Sequence, residues 1–169
     1  FLDFSSTRKG PKWRNYEGGN SIFKLEEMWC ESGFNQSVYD SILFLEHTEN
    51  LENLTILDIG SGKGNAILNL ALNFNFKKII GIELMNEYVC VFENNFKTIK
   101  NNGIKLKTEV TKIENIEIDA IEYDYLKENV YFLFNPVGPK TLNVILNKIF
   151  KRNTKLYIIY MNALHNTII

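Results

Sequence analysis

At 169 residues, 45% hydrophobic and 23% charged, the chain has the size and composition of one soluble globular domain with a core of its own. A net charge of −1 excludes a global field that would draw it onto nucleic acid or an anionic membrane, and no apolar run approaches a membrane span or a signal peptide. Cys30 and Cys90 lie far apart and, with only His47 and His165, make neither a C-x-x-C pair nor a metal set, so buried free thiols in a reducing cytosol are expected.

Residues 1–19 are polar and aromatic, with Gly10-Pro11 and Gly18-Gly19, and predict an extended arm carrying a small basic cluster of Arg8, Lys9, Lys12 and Arg14 around Trp13. Such an arm could touch an RNA backbone or close over a ligand. Helices are predicted near 20–31 and 36–48, the second from Val38, Ile42 and Leu45 at helical spacing. From residue 54 strands and helices alternate, the mark of a parallel α/β sheet. Strands are predicted at 54–59, 78–83, 114–118, 130–134 and 155–160. Helices fall at 65–73, from Asn86 as N-cap to the stop signal Asn101-Asn102-Gly103, and at 140–152. Lysines 97, 100, 105, 107 and 112 are interleaved with Glu109, Glu114 and Glu117, which reads as a solvated face. The chain opens on Phe1 and stops at Ile169, and both the native start and closing strands are expected to be missing, or the fold to be a minimal one.

The chemistry concentrates in Thr55-Ile56-Leu57-Asp58-Ile59-Gly60-Ser61-Gly62-Lys63-Gly64. An apolar strand ends near an acid, a loop with glycine at every second position follows, and then a helix begins. Bare backbone lets a ligand lie close. The dinucleotide fingerprint would need glycine where Asn65 stands. A P-loop would need one at Leu57 and a hydroxyl at Gly64, and no nucleophile elbow fits around Ser61. The second strand ends in Glu83, placed to accept hydrogen bonds from a ribose diol. Asp119-Ala120 follows the third strand and Asn135-Pro136 the fourth, so each informative residue sits at the carboxyl edge where open α/β sheets bind ligands.

The D-x-G-x-G-x-G loop resembles motif I of the class I S-adenosylmethionine-dependent methyltransferases, and the resemblance covers roughly residues 54–162. It implies a Rossmann-like three-layer αβα sandwich with a mostly parallel sheet. S-adenosylmethionine is the implied cofactor, left as S-adenosylhomocysteine, with no metal and no membrane partner. Glu83 would then hold the ribose hydroxyls, Asp119 and the Ala120 backbone the adenine, and Gly60, Ser61, Gly62 and Gly64 would pass under the methionine part. Asp58 would order the loop or reach the cofactor amine.

Asn135-Pro136 is similar to the motif IV of amino-methyltransferases and would be the catalytic pair. The run continues Val137-Gly138, without the second proline and the aromatic that adenine methylation uses. The pattern is also similar to small stand-alone bacterial methyltransferases, although Asn162-Ala163 replaces their later Asn-Pro, and to the Dot1-like protein-lysine methyltransferases. Tyr16, Tyr123, Tyr125, Tyr131 and Tyr160 could line an aromatic channel for lysine, and Asp124, Tyr160 or His165 could serve as base. The expected organisation is residues 1–50 as an arm and helices, and 51–169 as the cofactor-binding domain. The expected activity is methyl transfer to nitrogen in a protein lysine, small molecule or nucleic acid. The alternatives are a silent cofactor-binding or interaction domain and, less well matched, a nucleotide-binding oxidoreductase domain.

Overall fold

The computed structural model describes residues 36–163. The predicted arm, the helix near 20–31, Tyr16, Cys30 and His165 lie outside the described residues. Five parallel strands, β1 (Thr55–Ile59), β2 (Lys78–Glu83), β3 (Ile113–Glu117), β4 (Val130–Phe134) and β5 (Tyr157–Met161), form one sheet in the order β3-β2-β1-β4-β5. Strand order reverses beside β1, which puts the β1–β4 boundary at the switch point of the sheet.

Because β1 and β4 are central and covered on both faces, they read as continuous apolar runs rather than alternating ones. Alternate residues along β1 feed two cores. On one face Ile56, Val130 and Phe132 meet helices α1 (Gln36–Thr48), α2 (Asn65–Asn73) and α3 (Asn86–Asn101). On the other, Leu57, Ile59, Tyr131 and Leu133 meet α4 (Pro139–Ile149). Val38, Ile42 and Leu45 of α1 are buried in the first core, and Tyr39 lies against Phe74 at a ring distance of 5.1 Å.

The differences from the expected elements have local causes. Met85, not Asn86, is the N-cap of α3, and the Asn86 amide donates instead to the Glu117 carboxylate of β3. The long segment after Gly103 stays irregular because it is tied to the end of α2. Lys107 and Thr108 donate backbone N–H to Ala71, and the buried Thr108 hydroxyl bridges Phe74 and Phe76. β3 therefore starts at Ile113, one residue early. Helix α4 ends at Ile149, and Arg152 beyond it turns its guanidinium to the Tyr125 and Glu128 carbonyls and the Tyr131 hydroxyl. β5 begins at Tyr157, since Lys155 is paired with Glu49 at the end of α1. In the lysine-rich stretch Lys112 pairs with Glu109 at the surface, and Glu114 pairs with Lys78 of β2.

Candidate active site at the carboxyl edge of the sheet

The loop leaving β1 turns through three left-handed glycines, Gly60, Gly62 and Gly64, at φ 75°, 55° and 78°. Space as well as conformation demands glycine at two of them. A Cβ on Gly60 would lie 2.5 Å from the Pro136 Cβ, and one on Gly64 2.2 Å from the Phe92 ring. The first contact brings the Asn135-Pro136 turn directly against the loop.

The donors of the loop face inward. The Gly60 and Ser61 N–H groups donate to the Ile82 carbonyl at 2.9 and 3.0 Å, Gly64 to Ser61 at 3.0 Å, and Gly62 to the Glu83 carboxylate at 2.8 Å. The Ser61 hydroxyl donates to Asn115 at 2.7 Å. A phosphate-binding nest presents such N–H groups to its ligand; these are already used. The geometry therefore agrees with the spacing argument against a dinucleotide loop or a P-loop.

Three carboxylates surround this loop. Asp58 is buried on β1, and burial followed by the neighbouring charge of Glu83 pushes its pKa up to about 8. Glu83 is also raised by burial, against the lowering effect of backbone N–H donors including Met85 and Gly62. Oε2 accepts from Gly62 and Oε1 from Met85 at 2.9 Å, with the Leu84 N–H a further donor to the same carboxylate. Asp119 is buried at the tip beyond β3, where Ile118 donates to the Glu83 carbonyl at 2.9 Å. Its Oδ1 accepts from Ile121, while its buried Oδ2 has no hydrogen-bond partner among the described residues. A buried acceptor without a donor is costly unless a ligand supplies one.

Both raised groups bind protons more readily in the folded than in the unfolded chain. Their stabilisation is thus full below the unfolded carboxylate range and is lost as pH rises through the folded values. Without ligand, folding stability, and the thermal midpoint with it, is expected to fall between about pH 5 and pH 8, by up to about 1.4 kcal/mol per pH unit for the Asp58 proton. Asp58→Asn should flatten that slope in a pH series of melting curves; an unchanged slope would show that Asp58 is not its source.

Asn135 follows β4 at φ 46°, and Asn162 follows β5 at φ 49°, side by side because Phe134 pairs with Met161. Left-handed backbone is uncommon outside glycine, though asparagine tolerates it best. The Tyr160 hydroxyl donates to Asn135 Oδ1 at 3.3 Å. Tyr160 is thus the aromatic the structure brings to this edge. Tyr123, Tyr125 and Tyr131 serve the scaffold. Tyr125, its phenol kept neutral by burial, donates to the Ala120 carbonyl at 2.6 Å, Tyr131 to Tyr125, and Tyr123 to the buried Glu128. Asp124 is exposed between residues whose carbonyls are held by Lys148 and Arg152 at the far end of α4, away from Asn135.

The structure therefore brings together Asp58, the glycine loop, Glu83, Asp119-Ala120 and Asn135-Pro136. Sequence reasoning missed Asn115, the part Gly81 and Phe92 play in shaping the loop, and the role of Tyr125, which holds the Ala120 carbonyl rather than lining a channel; no local motif marks these roles. Among the described residues no His, Cys, Asp and Glu group is arranged to hold a metal, and no helix is long and apolar enough to cross a membrane.

Comparison with known proteins bears on the fold and the family. Residues 34–156 match the family model "Histone methylation protein DOT1". The chain is 26% identical over 103 residues to a histone-lysine N-methyltransferase, H3 lysine-79 specific, from Dictyostelium discoideum, covering 58% of this chain and 6% of that protein. It is 29% identical over 91 residues to a protein-lysine N-methyltransferase from Saccharolobus islandicus, covering 52% of this chain and 55% of that one. It thus spans only part of either relative. Among solved structures, an RNA methyltransferase from Salinibacter ruber in complex with S-adenosylhomocysteine superposes with a TM-score of 0.51 at 22% identity, over 70% of this chain and 69% of that one, a likeness of fold. The fold is that of the class I methyltransferases, and with the match running over most of its length the chain belongs to the DOT1 family of histone methylation proteins.

Proposed function

We propose that this chain carries the cofactor-binding core of an S-adenosylmethionine-dependent methyltransferase whose acceptor is the ε-amine of a protein lysine. The observation that carries the reading is the row of acceptors along one sheet edge. The Glu83 carboxylate and the unpaired Asp119 Oδ2 flank a loop whose own N–H groups are used internally. That set suits a ribose diol and an adenine amine, and does not suit a phosphate.

Glu83 would hold the ribose hydroxyls. Asp119 Oδ2 and the Ala120 backbone would hold the adenine, and Gly60 to Gly64 would give the flat floor for the methionine part, with Asp58 toward its amine. Ser61 supports the loop, because its N–H and hydroxyl are both donated to protein. S-adenosylmethionine, when bound, supplies an electrophilic methyl group on sulfur, so the protein's task is alignment and exclusion of water. Asn135 Oδ1 would accept a hydrogen bond from the acceptor amine beside the loop, a role supported by the Tyr160 hydroxyl that donates to it. A lysine acceptor is supported by the names of both relatives and by the missing motif IV aromatic, which disfavours a base.

The test is incubation with methyl-tritiated S-adenosylmethionine and, in parallel, core histones, a mixed protein extract and transfer RNA. Label in protein that hydrolyses to N-methyl-lysine is expected. Label in RNA alone would overturn the acceptor.

A further inference from the structure

We infer that Asn115 is a positioning residue for the cofactor site, fixing the glycine loop from the third strand across a glycine left bare to let it pass. This rests on the loop's being the S-adenosylmethionine site. Asn115 lies in the middle of β3 and pairs in register with Gly81 of β2. Its Oδ1 accepts the Ser61 hydroxyl at 2.7 Å, and its Nδ2 reaches the Gly62 carbonyl at 3.5 Å.

Gly81 is what allows the reach. A Cβ there would lie 2.5 Å from Asn115 Oδ1, 2.8 Å from the Ser61 Cβ and 2.2 Å from Ile67 Cδ1. Gly81 is not among the left-handed glycines, so its glycine serves space and not backbone conformation. The side chain therefore runs from β3 over β2 to the loop that follows β1.

The effect falls on Gly62, at φ 55°. Its N–H is held by Glu83 from β2, and its carbonyl faces Asn115 on β3. The two peptide planes that flank Gly62 are thus held from different strands. Glu83 also faces the proposed ribose, so Asn115 is a tie that does not share its atoms with the ligand. Holding a flexible triple-glycine loop in its binding shape before the ligand arrives lowers the ordering cost of binding.

The experiment is calorimetric titration of S-adenosylhomocysteine into the wild type, Asn115→Leu, Ser61→Ala and the double variant, each also melted thermally. Leucine keeps the branching and heavy-atom count of asparagine and removes both polar contacts. Each single variant is expected to bind about tenfold more weakly, the equivalent of one hydrogen bond. The thermal midpoint should stay within about 4 °C of wild type. The double variant should lose no more than the worse single one, and in turnover KM for S-adenosylmethionine should rise while kcat holds. Wild-type affinity in both single variants, or losses that multiply in the double variant, would overturn the inference. If Asn115→Leu does not fold, Ser61→Ala decides alone, since it removes the other end of the same bond. No binding to the wild type would take down the cofactor reading and this inference with it, which separates that failure from the others.

Discussion

Gly64→Ala is expected to cost about 2–5 kcal/mol of folding stability, from a left-handed backbone and an overpacked contact together. Gly64 stands at φ 78°, immediately before α2, and an added Cβ would sit 2.2 Å from a Phe92 ring carbon. Phe92 cannot swing away easily, since it is buried in α3 and stacks on Phe96 at 5.5 Å. A domain of this size has about 5–15 kcal/mol in total, so the loss should be plain in urea denaturation. Phe92→Leu in the Gly64→Ala background should recover part of the loss by opening the contact. If Gly64→Ala costs less than about 1 kcal/mol, the junction between loop and helix is softer than its geometry indicates.

Asn135→Ala is expected to lower turnover about 10²- to 10³-fold, the usual cost of removing one well-placed polar group from a reacting centre. Affinity for S-adenosylhomocysteine should stay within about twofold of wild type. The carboxamide sits beside the loop, where Pro136 lies against Gly60, on the side proposed for the acceptor, and none of the proposed cofactor contacts uses it. Because Asn135 is at φ 46°, alanine also strains the backbone, which could imitate a functional loss. Asn135→Gly resolves this. It should regain stability through relief of the left-handed turn, yet remain as inactive as Asn135→Ala. Activity restored by glycine would mean that the turn, and not the carboxamide, matters.

How much of this was legible in the sequence depends on how far each signal travels along the chain. The strand, loop and helix around Asp58 to Gly64 were readable because glycine spacing and apolar runs are local. The same holds for Glu83, the last residue of its strand, and for Asp119 and Asn135, two residues and one beyond theirs, since each strand is announced by its own composition. The loop's inward donors were not legible. Ser61 reads as a ligand contact from its motif, but its partner Asn115 is 54 positions away on a strand whose start was itself ambiguous. Gly81 reads as a weak strand residue until Asn115 is seen lying over it. Asn86 has the chemistry of an N-cap, and only the nearby Glu117 explains why its amide is used elsewhere. The strand β5 began late for a similar reason, with Lys155 captured by Glu49 from α1.

The most direct measurement is calorimetric titration of the wild-type chain with S-adenosylhomocysteine, with NADH as the competing nucleotide. The account predicts one site of micromolar affinity for S-adenosylhomocysteine, about −8 kcal/mol, and no heat from NADH. Binding of NADH, or of neither compound, would contradict the claim that Glu83, Asp119 and the glycine loop form a methyltransferase cofactor site.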